Sequence, residues 1–314
     1  MRAAIVERYG PPEVVRVAET PLPTVGADQV LVRVEAAAVT SADARIRGAR
    51  FPRGFTPFAR LAFGLRRPRR PVLGGAFSGV VEACGNRVQG FAVGDEVCGM
   101  TGVALGAHAE HLAVRARRVT HKPSTVSHDD AAAVLFGGST ALHFCERAKI
   151  APGETVLVNG ASGAIGTNAV QLACLRGATV TGVASTANLG LVTKLGATHT
   201  IDRTTTSLAE LDDRFDVVID TVGNVSIASG RRLLRDGGRL VLCVAGLGET
   251  IRARGEVIAG TAPERVEHFD HLLGLIADGS LAVVIDDVHS LDDIVEAHRR
   301  VDSGHKVGNL VVHP

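Results

Sequence analysis

Thr155-Val156-Leu157-Val158-Asn159-Gly160-Ala161-Ser162-Gly163-Ala164-Ile165-Gly166, continued by Thr167-Asn168-Ala169-Val170-Gln171-Leu172-Ala173, is the stretch whose reading decides the fold. A β-branched run bounded by Pro152-Gly153 reads as a buried strand; three glycines spaced three apart follow, and then an apolar pattern of helical period. In such a strand, turn and helix, Gly160 permits the tight turn, Gly163 lets a pyrophosphate approach the backbone and Gly166 lets helix and strand pack closely. The helix N-terminus offers free N–H groups and partial positive charge to phosphates, which makes Ser162, Ala164 and Ile165 candidate contacts as well. Glycine-rich turns also occur with no ligand at all. Here a second strand, Thr179-Val180-Thr181-Gly182-Val183-Ala184, begins after Arg176-Gly177-Ala178, and a dinucleotide-binding unit is the better reading.

With 314 residues the chain has room for two domains, at about 100–200 residues per domain. Its 34 Lys and Arg are balanced by 33 Asp and Glu, so nothing global attracts nucleic acid or an anionic membrane. Met1-Arg2-Ala3-Ala4-Ile5-Val6 runs straight into a strand pattern, and no apolar run approaches the roughly 18 residues of a membrane span. A soluble, cytoplasmic protein is expected. The five cysteines, Cys84, Cys98, Cys145, Cys174 and Cys243, are scattered and never spaced Cys-x-x-Cys. That argues against a disulfide framework or a thiolate cluster, and for reduced thiols serving as small buried hydrophobes.

The first third is β-rich, with alternation at Val30-Leu31-Val32-Arg33-Val34-Glu35 and short strand candidates at 79–83 and 96–99 between glycines, a spacing that suggests a small barrel. Lys122-Pro123-Ser124 looks like a boundary, after which Ser127-His128-Asp129-Asp130 caps an Ala-rich helix beginning near Ala131. Strands then alternate with helices, which favours a parallel, doubly wound α/β sheet. After Pro263 the pattern predicts a helix to about Ala277, a strand near Val283-Val284-Ile285, a helix from about Leu291 to Val301 and a last strand at Asn309-Leu310-Val311-Val312. One long, basic segment, residues 51–70, carries Phe55, Phe58, Phe63 and Leu65 among its arginines. It reads as a lid over a cleft, with a weak contact to an anionic membrane surface or a solvated excursion as alternatives.

Taken together the chain resembles the zinc-independent medium-chain dehydrogenases/reductases, specifically the quinone oxidoreductase group. The resemblance rests on Tyr9-Gly10-Pro11-Pro12-Glu13-Val14, Gly94-Asp95-Glu96-Val97, Gly138-Ser139-Thr140-Ala141-Leu142, the glycine turn, Lys194-Leu195-Gly196-Ala197, Phe215 to Gly223 and Gly304-His305-Lys306-Val307-Gly308-Asn309. It implies a GroES-like β-barrel substrate domain, residues 1–122 and 263–314, and a Rossmann domain, residues 123–262, with the substrate cleft between them, usually in a homodimer. Zinc-bearing relatives place a Cys and a His on two barrel segments facing the nicotinamide. Here those segments read Val39-Thr40-Ser41-Ala42-Asp43 and Gly74-Gly75-Ala76, which offer neither thiolate nor imidazole, so no zinc is expected. His108 and His111 would point to opposite faces of a strand. His268 and His271 would share a helix face, read as solvated for want of a third ligand.

NAD-preferring Rossmann domains carry a carboxylate at the end of the second strand. This chain has Ser185, Thr186 and Asn188 there, with Arg203 after the next strand and Lys194 behind it as candidate cations, so NADPH is expected ahead of NADH. Lys194 also reads as an ordinary exposed helix residue. Relatives often have a basic residue where Val307 stands and an acidic one where Ala76 stands, departures that keep open a catalytically idle NADPH-binding protein. Without a metal, hydride transfer suits an acceptor needing little electrophilic help, a quinone or an α,β-unsaturated carbonyl. Carbonyl polarisation then falls to hydroxyl or backbone donors, and Thr40 and Ser41 stand nearest by motif position, Thr40 serving alternatively as a helix cap. Asp43 and Arg47 read as an intrahelical ion pair. Thr140, in a Gly-Gly-Ser-Thr turn, Val222 with Gly223, and Val244 with Ala245 and Gly246 complete the expected cofactor contacts.

Overall fold

The computed structural model describes residues 1–314. Six parallel strands form one sheet, ordered His199–Asp202, Thr179–Ala184, Thr155–Asn159, Phe215–Asp220, Leu234–Leu242 and Val257–Ala259. Val156, Leu157 and Val158 are fully buried, as a strand covered on both faces requires. Strand order reverses between Thr155–Asn159 and Phe215–Asp220, which opens a crevice at their carboxyl ends.

The second sheet has seven strands, six in one continuous order and His111–Arg115 paired beside them, and Gln29–Ala38 is its hub. That strand pairs antiparallel with Ala76–Cys84 along one edge; its first half also pairs with His111–Arg115, and its end with Asn309–His313. The last strand of the chain thus closes a sheet begun in the first forty residues, and Ile285–Ser290 adds beside it in parallel. This strand begins at Ile285, later than its apolar pattern predicts, and the Val284 carbonyl oxygen just before it accepts from the Asn309 amide at 2.8 Å.

One helix, His128–Ala148, lies between the sheets, with Ser127 as its N-cap accepting from the Asp130 amide at 3.0 Å. Ala132 and Ala133 pack against Ala36 and Val311 of the barrel, while Val134, Leu135 and Leu142 join the core of the parallel sheet. The sequence reading of Gly137-Gly138-Ser139-Thr140 as a turn is corrected here: the helix runs unbroken through it. Its glycines are there for close packing. A Cβ on Gly137 would overlap the Ala164 carbonyl oxygen, and one on Gly138 would sit 2.9 Å from Val134 and 3.0 Å from Leu272 of helix Val266–Ala277.

Gly137→Ala therefore sets two effects against each other. Alanine gains about 1 kcal/mol of helix propensity, whereas forcing a methyl group into a filled backbone contact costs roughly 1–3 kcal/mol and more when backbone must move. A net loss on the order of 2 kcal/mol in urea unfolding is expected. An unchanged midpoint would show that the two helices separate without cost.

Candidate active site

The three glycines of the turn differ in what surrounds them. Gly160 has φ +79°, and a Cβ there would lie 2.6 Å from Thr221 Oγ1 and Val222 Cγ2. A Cβ on Gly166 would collide with the Gly160 carbonyl oxygen, so helix and turn touch backbone to backbone. Gly163 alone faces open space: its Cβ would meet only Gly160 O, at an ordinary 3.5 Å. It is also the N-cap of helix Ala164–Leu175, which has no side-chain cap, and this leaves the amides of the first turn, Ala164 to Gly166, without a capping acceptor.

Gly163 opens on a cleft of about 1040 Å³. Gly160, Ser162, Ser185, Asn188, Arg203 and Val222 line it as well. Asn188 Nδ2 donates to both Ser162 Oγ and Ser185 Oγ at 3.2 Å, tying the glycine turn to the end of the second strand. Thr186 turns away and donates to Asp202 at 2.5 Å. The sequence reading overlooked this carboxylate, which reaches the end of the second strand from the neighbouring one. The Thr186 and Thr204 hydroxyls and the Thr204 amide hold it in its charged form and push its pKa down, and it does not line the cleft. Arg203 does, exposed and with its guanidinium unpaired. Lys194 lies on the exposed side of helix Leu189–Lys194 and is not part of the cleft.

At the carboxyl ends of the parallel strands, buried Asp220 organises the loop that follows it. Its Oδ1 accepts from Asn159 Nδ2 at 2.9 Å and the Val222 amide at 3.0 Å, and its Oδ2 from the Gly223 and Val225 amides at 3.1 Å. Gly223, at φ +90°, passes so close to Val244 that a Cβ would come 2.9 Å from its carbonyl oxygen. Val244 and Ala245 lead to Gly246, which caps helix Leu247–Arg252, and the Leu247 amide donates to Arg53 O at 2.8 Å. Segment 51–70 is thus pinned across the strand ends. Tyr9 anchors its other side by donating to Gly64 O at 2.6 Å.

The expected catalytic hydroxyls are placed less simply. Thr40 is the N-cap of helix Ser41–Gly48, and its hydroxyl donates to Asp43 Oδ2 at 2.6 Å. Asp43 also accepts from the Gly74 amide at 3.0 Å, and Arg47 pairs with Asp302 at 2.6 Å, so the expected Asp43–Arg47 ion pair does not form. Helix capping and tertiary contacts take both groups. Ser41 Oγ has no hydrogen-bond partner within the protein. Thr140 Oγ1 donates to Phe136 O at 2.7 Å within the long helix. His108 is buried on Ala38 O, His111 meets Glu82, and His268 is buried against Glu146 while His271 is exposed, so the expected solvated face is half wrong. No three or more His, Cys, Asp or Glu side chains gather as a metal-ion cluster.

Lys306 was missed by sequence reasoning. It lines the cleft from the segment before the last strand, where the Gly308 amide donates to Ser162 O at 2.8 Å and Gly308 bridges Gly163. Its ammonium group donates to Gly308 O, and desolvation pushes its pKa down to about 8. The signal was present in Gly304-His305-Lys306-Val307, one position before the residue that drew attention.

Residues 26–124 match the family described as alcohol dehydrogenase GroES-like domain, and residues 195–312 the one described as zinc-binding dehydrogenase. The 2-methylene-furan-3-one reductase of Solanum lycopersicum is 30% identical over 100% of this chain and 79% of its own length. The chain belongs to the medium-chain dehydrogenase/reductase superfamily. It is an oxidoreductase of the quinone oxidoreductase group. The chloroplastic NADPH-dependent alkenal/one oxidoreductase of Arabidopsis thaliana is 28% identical over 100% of this chain and 80% of that protein. The solved structure of the quinone oxidoreductase from Coxiella burnetii superposes with a TM-score of 0.90 at 28% identity, covering 100% of this chain and 99% of that one.

Asp220 is the keystone on the protein's side of this site. Asp220→Ala leaves Asn159 and three loop amides without their acceptor, and a loss on the order of 3 kcal/mol is expected. Urea unfolding measures it, and a loss under about 1 kcal/mol would mean that the loop repairs itself with water.

Proposed function

We propose that the protein is a zinc-independent, NADPH-dependent reductase of quinones or α,β-unsaturated carbonyls. The charge of the cleft carries this reading: Arg203, Arg232 and Lys306 line it without a carboxylate partner, beside Arg300, which Asp286 holds at 2.6 Å, and the cleft's single carboxylate, Glu210, is itself turned onto the Ser207 amide at 3.2 Å. Such a cleft suits a ligand with several phosphates. The residues fit NADPH, since Gly163 leaves the space that a Cβ would fill and Lys306 brings a half-buried cation to the same wall. Gly163, Ala164, Ile165 and Lys306 would hold the pyrophosphate, and Arg203 with Ser185 and Asn188 the 2′-phosphate.

When bound, NADPH supplies a hydride to the acceptor. The chain's own part is to bind, orient and exclude water. Segment 51–70, pinned at Leu247 beside the strand ends, would cover the nicotinamide end of the crevice. Ser41, whose hydroxyl has no partner within the protein, remains free to donate to a developing oxyanion, while Thr40 serves as the cap of the helix that Ser41 begins. Thr40, Ser41, Gly74, Gly75 and Ala76 stand where zinc-bearing relatives keep their ligands, and this supports catalysis without the metal.

Losing a charged hydrogen-bond partner costs on the order of 1.5–3 kcal/mol, about ten- to a hundredfold in affinity. Arg203→Ala should weaken NADPH binding by that factor and leave NADH nearly untouched, whereas Ser185→Asp should favour NADH. Nicotinamide fluorescence titrations decide the matter, and equal losses for both cofactors would make Arg203 a structural residue.

Lys306 gives the site a pH dependence. Phosphate favours the ammonium form, so binding raises the Lys306 pKa and takes up a proton above the free-state value of about 8. NADPH affinity should therefore be flat below pH 8 and fall above it, by up to about tenfold per pH unit. Lys306→Met should flatten the profile; an unaltered fall in that variant would remove Lys306 from the phosphate site.

A further inference from the structure

Segment 51–70 has two faces. The inner one packs on the protein, with Phe63 stacked on Phe51 at 6.0 Å between ring centroids and Gly64 held by Tyr9. The outer one presents Phe58, Leu61 and Leu65, spaced three and four apart and each 62% exposed, on and just after helix Thr56–Phe63, of which no residue is buried. Arg53, Arg60, Arg66, Arg67, Arg69 and Arg70 accompany them along the segment, Arg60 lying over the Tyr9 ring at 5.4 Å, and no acidic residue occurs between positions 50 and 70. None of these six forms an ion pair, unlike Arg47 and Arg50, which share Asp302.

A second feature stands at the edge of this face. A cavity of about 440 Å³ is lined by Arg69, Arg70, Arg115 and Arg118 against an apolar wall that includes Leu105 and Leu112. Arg118 is paired with Glu264 at 2.6 Å and Arg115 lies 3.8 Å from Asp28, so the free positive charge comes from Arg69 and Arg70. An anionic head joined to an apolar chain matches such a cavity.

We propose that this face docks on an anionic phospholipid bilayer, with Phe58, Leu61 and Leu65 entering the interfacial zone and the arginines meeting headgroup phosphates. Aromatic and aliphatic side chains ringed by arginine are what an interfacial helix requires. Charge decides against a second copy of this chain, because two-fold pairing of the face would set arginines against arginines. The anionic cavity ligand is then a lipid headgroup. A corollary rests on the reductase reading: segment 51–70 is pinned beside the strand ends through Arg53 O, so apolar acceptors dissolved in the membrane would approach the crevice from the docked face.

The test is sedimentation of the full chain with vesicles of phosphatidylcholine alone or mixed with phosphatidylglycerol. Binding to the mixed vesicles, weakened by salt as the arginines are screened, is expected. Each arginine near the surface contributes roughly fivefold to partition, so Arg69→Gln with Arg70→Gln should lose about twenty-fivefold. Phe58→Asp with Leu61→Asp should lose at least about tenfold. Both pairs should keep the parent's NADPH affinity and unfolding midpoint, which separates failure of docking from failure of the cofactor reading. Equal binding to both vesicle types, none to either, or unaltered binding by the variants overturns the proposal. So does displacement by inorganic phosphate at constant ionic strength, which would assign the arginines to free phosphate. A dimer abolished by Phe58→Asp with Leu61→Asp would assign the face to a second copy.

Discussion

Backbone touches backbone at the start of helix Ala164–Leu175, and the site depends on that contact. Gly166 lies against the Gly160 carbonyl, Gly137 of the long central helix against the Ala164 carbonyl, and Gly308 bridges Gly163 while its amide holds Ser162. Three elements distant in sequence thus converge on one helical turn. Side chains at these positions would push the elements apart by more than a hydrogen bond can span. The turn is held in place by packing, and its amides are left for a ligand.

Order across the molecule follows from the same convergence. The segment that reaches Gly163 continues directly into Asn309–His313, which closes the barrel sheet on Gln29–Ala38. The parallel sheet and the barrel therefore meet at the phosphate turn as well as along the central helix. Lys306 owes its position to this path: two residues before the bridge, it has little freedom to leave the cleft wall. Its depressed pKa has the same origin, since the contact that places it also strips it of water.

Features set by neighbouring residues were legible in the sequence. The strand, glycine turn and helix at 155–175 read correctly because a buried strand and an apolar helix have local periods. Features set by distant partners were not. Gly137-Gly138-Ser139-Thr140 carries the composition of a turn, and only its contacts with Ala164 and Leu272 explain glycine inside a helix. Asp43 and Arg47 have the spacing of an ion pair, yet Thr40 and Gly74 take one and Asp302 the other. Asp202 escaped notice because it belongs to the third strand and reaches the second only across the sheet. Lys306 and Asp220 likewise gain their roles from loops that sequence order does not bring together.

Charge shows most clearly how composition hides function. A net formal charge of +1 spread evenly over 314 residues would steer nothing. The structure sorts part of the charge instead: many carboxylates pair with arginines, as in Arg33–Glu82 and Arg239–Glu154. Among the cations without such partners, Arg203, Arg232 and Lys306 gather in the cleft beside Gly163 and six arginines stand in segment 51–70. In a cleft, low-dielectric walls focus the field and give a few cations an effect that the same number on a convex surface lacks. On the outer face no wall does this, so the arginines there act only within a Debye length, about 8 Å at physiological salt, and need a surface that comes to them. The first arrangement suits a small polyanion that enters; the second suits an extended anionic surface.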